Sequence, residues 1–263
     1  MNFVGLNSIR SLLVPVPPIE EQQKIAEILS AIDDKINTTN SLIIETKRYK
    51  QGLMQQLFTK GIGHTEFKSS ELGEIPGVWE VKMVCEFAKI ITGKKDTQNK
   101  IDDGSYPFVV RSQKLEKINS YSFDGEAVLT AGDGVGVGKV FHYLKEKFDF
   151  HQRVYNINSF DKTILGRFFF EYFKLNFIKQ VRKYNAKGSV DSVRMDMISK
   201  MIIPIPPIVE QNKIATVLLE IDNKIAMLES KRIMYRDLKT SLMQQLLTGK
   251  IRVNTCQQKS AVA

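Results

Sequence analysis

Apolar residues return every seven positions along two stretches of the chain. In the later stretch Ile214, Ile221, Leu228, Tyr235 and Leu242 form one row, and Leu218, Ile225 and Leu246 form most of another. Paired rows of this period are the seam of a coiled coil. In the earlier stretch Ile25, Ile32 and Leu53 hold one row and Leu29, Ile36, Ile43 and Leu57 the other, with Thr39 and Thr46 set mid-seam. Those two hydroxyls make the first helix the weaker one.

Prolines set where each helix begins. Pro15-Val16-Pro17-Pro18 and Pro204-Ile205-Pro206-Pro207 lack N–H donors and hold φ, so the chain stays extended there and helix is predicted to start just after. Glu21-Gln22 and Glu210-Gln211 then place carboxylates in the first turn, where the helix dipole favours them. Only Gly52 interrupts the first stretch, and nothing interrupts the second before Gly249. A helix of roughly 38 residues would reach about 57 Å.

The two stretches are copies. Ile9 to Ile62 aligns with Ile198 to Ile251 without a gap, an offset of 189 residues, through IRSLLVPVPPIEEQQKIAEILSAIDDKIN against ISKMIIPIPPIVEQNKIATVLLEIDNKIA and LMQQLFTKGI against LMQQLLTGKI. A compact domain lying between them must return the chain to the point it left, so the helices are expected to pack antiparallel.

Between the copies, from about His64 to about Asp196, the texture changes to short β-like runs: Tyr106 to Val110, Ala127 to Thr130 and Val154 to Ile157. Leu165 to Val181 has helical spacing instead. The predicted fold class is therefore α+β: a mixed α/β domain with two long helices forming an antiparallel coiled coil.

Charge narrows the partners. Of 263 residues 43% are hydrophobic and 25% charged, which describes a globular chain, and 38 Lys and Arg against 29 Asp and Glu leave a net +9. Such a field favours polyanions, nucleic acid first. Cys85 and Cys256 stand far apart, without a CxxC or a histidine at ligand spacing, so neither a disulfide framework nor a zinc site is indicated and a reducing cytoplasm fits. Nothing suggests a signal peptide or a membrane span.

Several segments of the central domain join cations to small polar side chains: Lys94-Lys95, Arg111-Ser112-Gln113-Lys114, Gln152-Arg153 after His151, and Lys187 and Ser189 through to Arg194. Arg and Lys reach guanine O6 and N7, Gln brackets adenine N6 and N7, and Gly and Ser let backbone approach closely. Each cluster alone also reads as a solvated loop; their joint presence in one basic domain favours DNA. Asp133-Gly134-Val135-Gly136-Val137-Gly138-Lys139 is not a Walker A loop, having Asp133 where Gly is needed and Val140 where Ser or Thr is needed. Its alternating glycines fail the dinucleotide fingerprint too, which leaves a turn that brings backbone amides and Lys139 near a ligand.

Intrinsic catalysis finds no support. Val16-Pro17-Pro18-Ile19 lacks the Asn or Asp and the aromatic of an amino-methyltransferase motif, and Glu80-Val81-Lys82 lacks the Pro-Asp of a metal-nuclease core. The competing class is a coiled-coil scaffold that binds protein alone.

The blocks PIPPIVEQNKIATVL and LMQQLLTGKI, repeated around IPGVWEV, DGEAVLTAGDGVGVG, FHQRVYNI and KGSVDSVRMDMI, strongly resemble Type I restriction-modification specificity subunits over almost the whole chain. The resemblance implies a non-catalytic, cytoplasmic reader of double-stranded DNA. Its helices would separate target recognition domains and dock modification (methyltransferase) subunits, with a restriction subunit joining through the complex. S-adenosylmethionine, ATP and Mg would then sit on the partners, none on this chain. It also implies the organisation: residues 1–18 as the tail of a first recognition domain, 19–62 and 208–250 as the conserved long helices, 63–207 as one complete target recognition domain, and 251–263 as a polar tail. A bipartite target would need a second reader, which a homodimer could supply.

Overall fold

The structure, a computed structural model, describes residues 5, 10, 11, 13–184 and 192–254. Two compact units divide them: one of residues 1–49 and 221–263, the other of residues 50–220.

The first unit is a helix pair. Helix α1 runs Ile19–Leu57 and the last helix, α5, runs Ile208–Leu246, each 39 residues and each starting on the residue after its prolines. Within this unit Glu21 meets Arg252, Asp33 meets Lys239, Asn40 meets Arg232 and Lys47 meets Glu229, so rising numbers on α1 face falling numbers on α5. The helices are antiparallel.

Seam burial follows the predicted rows. In this unit Ile25, Ile36, Ile43, Ile225, Leu228 and Leu246 are buried and Leu29, Ile32, Ile221, Tyr235 and Leu242 half-buried, whereas Leu53, Leu57, Ile214 and Leu218 of the same rows belong to the core of the second unit. Apolar rows missed the polar seam positions. Arg232 and Lys239 stand where the second row skips, and each hydrogen-bonds to α1: Arg232 NH1 to Asn40 Oδ1 at 3.3 Å, Lys239 Nζ to both Asp33 oxygens at 2.6 and 2.7 Å. Thr39 and Thr46 turn their hydroxyls back onto their own helix, donating to the Lys35 and Leu42 carbonyls at 2.7 Å. A seam hydroxyl is thereby satisfied without a partner from α5.

The second unit is built on a six-stranded sheet of order β4-β9-β7-β8-β5-β6, where β4 is Lys89–Thr92, β5 Tyr106–Val109, β6 Glu116–Ile118, β7 Phe123–Ala131, β8 Phe141–Phe150 and β9 Val154–Asn158. Among the described strands of this sheet, only β5 with β8 pairs parallel. A hairpin of β1 (Phe67–Ser70) and β2 (Gly73–Pro76) precedes it, β3 (Glu80–Met83) pairs antiparallel with β10 (Ile202–Ile205), and α2 (Val84–Phe87) and α4 (Met195–Ser199) are short.

Alternation along β7 sends Val128 to one core and Ala127 and Leu129 to another, as successive strand residues face opposite ways. On the Val128 side lies α3 (Gly166–Lys183), with Phe169, Phe173 and Phe177 at fourfold spacing and Phe168 all fully buried. Truncating one such ring to Ala removes about 3–5 kcal/mol. Their core also takes in Met54, Leu57 and Phe58 of the α1 end and Ile214, Ala215 and Leu218 of α5. Thus the helix ends at 50–58 and 208–220 are part of this domain's core.

Candidate nucleic-acid interface

Five of the predicted segments are brought together by backbone contacts that follow the ends of β4, β5, β7 and β8. His151, just past β8, forms a bridge with Lys95, and the Gln152 N–H donates to the Lys95 carbonyl at 2.8 Å. The His151 N–H donates to the Val109 carbonyl at 2.9 Å, which ties the same turn to the end of β5 and so to Arg111. The Gly132 N–H donates to the Arg153 carbonyl, the Val193 N–H donates to the Gly132 carbonyl, and Asp133 bridges Ser192. Residues 94–96, 111–113, 132–136, 151–153 and 192–194 therefore form one surface.

Close backbone approach makes this crossing possible. A Cβ on Gly93 would lie 1.9 Å from the Phe150 carbonyl oxygen, and one on Gly136 would lie 2.8 Å from that of Arg111. No other residue fits at Gly93 without moving backbone.

At its centre Asp133 holds two arginines. Arg111 NH1 donates to Asp133 Oδ1 at 2.7 Å and Arg153 Nε lies 3.6 Å from Oδ2. The carboxylate side chain is 26% exposed, Arg111 43% and Arg153 65%, so the anion sits deeper than the cations it holds. Beside them Gln152 Nε2 donates to Asp96 Oδ2 at 3.2 Å. His151 is buried and its Nδ1 accepts the Arg153 N–H at 2.9 Å. Burial lowers its pKa, and the Arg111 charge lowers it further.

The remaining predicted residues fall as follows. Lys94 is exposed and Lys95 half-buried in its bridge. Ser112 donates to the Lys114 carbonyl, Gln113 to the Phe141 carbonyl, and Lys114 leans to Glu116 at 3.7 Å. Lys139 is exposed at the far end of the glycine turn, and Arg194 Nε lies 3.3 Å from Asp196 Oδ1. Lys187 and Ser189 lie outside the described residues. What the sequence reading passed over are the anions, Asp96, Asp133 and Asp196, together with His151 as a support. Selecting for cations cannot find carboxylates whose partners lie 22 or 56 residues away.

Among the described residues, no group of three His, Cys, Asp or Glu is placed to hold a metal ion, and no helix is long and apolar enough to cross a membrane. The surface offers guanidinium, ammonium and amide donors with backbone close behind, a set suited to phosphate oxygens and base edges.

Comparison with known proteins bears on the family and the fold. The chain is 32% identical over 271 residues to the Type I restriction enzyme MjaVIII specificity subunit of Methanocaldococcus jannaschii, an alignment covering 92% of this chain and 63% of the relative. It spans about three fifths of the length of the curated relatives it matches first. Its fold is similar to the Type-I restriction-modification S subunit from M. genitalium, with a TM-score of 0.63 at 14% identity, covering 86% of this chain and 60% of the other. The HsdS subunit from Thermoanaerobacter tengcongensis is similar with a TM-score of 0.54 at 16% identity, covering 93% and 62%. Residues 4–48 and 76–234 match the Type I restriction modification DNA specificity domain, and the chain belongs to that family.

Proposed function

We propose that this chain reads part of a split double-stranded DNA sequence within a Type I restriction-modification complex and catalyses nothing itself. The observation that carries this reading is the convergence of Arg111, Gln152, Arg153 and Lys95 on one surface from three separate segments. Neither a scaffold without DNA specificity nor an enzyme explains why the domain gathers them there. In this reading the long helices dock modification subunits, which bring S-adenosylmethionine, and a restriction subunit brings ATP and Mg through the complex.

A second reader is supported by unequal burial of repeat-equivalent residues. Val16 is 77% exposed where its counterpart Ile205 is 5% exposed, and Leu247 is 47% exposed where its counterpart Phe58 is 3% exposed. Beside them lies a groove of about 350 Å³ lined by Pro15, Val16, Ile25, Leu29, Leu246 and Leu247. The counterparts Ile205, Ile214, Leu218, Leu57 and Phe58 are buried in the recognition domain's own core. We therefore assign this groove to a second recognition-type domain.

Methylome mapping of cells that express the chain with modification subunits tests both statements. A split methylated sequence is expected, lost when Arg111 and Arg153 are both changed to Ala. Identical halves in opposite orientation would make the second reader another copy of this chain; unlike halves would make it a different domain. An uninterrupted short target would overturn the second reader. Absence of any sequence-dependent methylation would overturn the recognition role.

A further inference from the structure

We propose that Asp133 is the positioning residue of this interface: it holds Arg111 and Arg153 in a set orientation and sets how sharply the surface discriminates one DNA sequence from another. The inference rests on the DNA-reading role proposed above and adds to it a residue that opposes affinity while serving specificity.

Geometry places Asp133 beneath both cations and at the crossing of three segments. Its backbone bridges Ser192, and the residue before it is bonded to Arg153 and Val193. Each carboxylate oxygen takes one arginine nitrogen, Arg111 NH1 on Oδ1 and Arg153 Nε on Oδ2. A guanidinium carries five N–H donors, so one contact apiece leaves most of each fork to face outward. Bidentate recognition of guanine O6 and N7 needs such a fork held at one angle, because an arginine free to swivel follows phosphate as readily as a base edge.

The same carboxylate carries a cost. A negative charge beside two positive ones leaves the trio with a net charge of one, and DNA presents phosphates to all three. Asp133 therefore weakens sequence-independent binding. A residue that merely braced the loop would lower specific and non-specific binding together, whereas a positioning anion moves them in opposite directions.

The test uses the full chain and two duplexes, one enriched from a randomised library by the wild-type protein and one scrambled, with affinity measured across a salt series. Asp133→Asn keeps the shape and one acceptor but removes the charge. Expected results are about threefold tighter binding to the scrambled duplex, a salt slope steeper by about one, and a specific-to-scrambled ratio about tenfold smaller, with the melting temperature unchanged. Asp133→Glu keeps the charge but displaces it, and is expected to lose the ratio without gaining scrambled affinity. In an Arg111→Ala, Arg153→Ala background, Asp133→Asn should leave the ratio where it is, since the arginines through which Asp133 acts are gone.

Retention of the wild-type ratio in both Asp133 variants overturns the inference while leaving the DNA reading standing. So does an equal loss in the double-alanine background. If instead Arg111→Ala with Arg153→Ala binds both duplexes as wild type does, or no sequence is enriched at all, the DNA reading fails and this inference falls with it.

Discussion

The Trp79 indole N–H donates to Glu210 Oε2 at 2.9 Å across 131 residues of chain. Glu210 also accepts the Ile62 N–H at 2.8 Å and contacts His64 Nε2 at 2.9 Å, so one buried carboxylate in the first turn of α5 gathers the exit of α1 and the turn before β3. Its repeat counterpart, Glu21, is held by Arg252 Nε and NH2 and by the Val253 N–H. The Arg252 side chain is 67% exposed, so water can replace it. Glu210→Ala should therefore destabilise the protein by about 3 kcal/mol, leaving buried donors without an acceptor, while Glu21→Ala costs far less. Urea unfolding of the two variants checks this, and equal losses would refute it.

At the surface proposed to face DNA, Arg111→Ala should reduce discrimination for one sequence by about 1–3 kcal/mol. Arg153→Ala, the more exposed and more loosely held of the pair, should lose less discrimination than Arg111→Ala and lower affinity more evenly across sequences, with the salt slope reduced by about one. Binding titrations at several salt concentrations separate the two. An identical pattern for both variants would show that the arginines do not divide the work.

Stability should fall as pH drops from 7 toward 5.5. Burial lowers the pKa of both His142 and His151 from the ordinary 6.5, with the Arg111 charge adding to the effect at His151. Below about pH 6.5 the unfolded chain takes up protons at these two rings before the folded chain does, so protonation favours unfolding until the lowered folded values are passed. Thermal melts of wild type and a His142→Gln, His151→Gln variant check this. The variant should show a flatter profile between pH 7 and 5.5, and parallel profiles would count against it.

In the seam, Lys239→Leu should raise stability by roughly 0.5–1 kcal/mol, because a partly exposed ion pair contributes little and an apolar residue there fills the stripe. It should also promote self-association, since the Asp33 pairing that marks the register is lost. Thermal melts and sedimentation velocity would show both. A drop in melting temperature like that of Asp33→Ala would show the pair to be worth more than the packing.

The long helices were legible in the sequence because proline marks a start without reference to anything distant, and a sevenfold stripe reports its own burial. β5, β7, β9 and α3 were legible too, from β-branched and aromatic runs and from phenylalanines at fourfold spacing. β8 was not, because its exposed middle, Lys145-Glu146-Lys147, masks two buried ends. The polar seam positions 232 and 239 escaped for a related reason: a charged side chain counts as surface until its partner is known, and these partners lie 192 and 206 residues away. The cations of the candidate interface were visible one cluster at a time. That Asp133 joins two of them depends on β7, β8 and β9 being paired in register, which no local pattern encodes.

The register of α1 against α5 has a consequence in time. Asp33 and Lys239 close a loop of 206 residues, a contact that a searching chain finds slowly. Once residues 50–220 have condensed, with Leu57 and Leu218 in one core, the loop still to be closed shrinks to the few turns of helix beyond them. The unit of residues 50–220 is then the nucleus from which the helices zip, and α1 waits for its partner through the synthesis of everything in between. Pulse-labelled hydrogen exchange would find amides near Phe173 protected before those near Ile36.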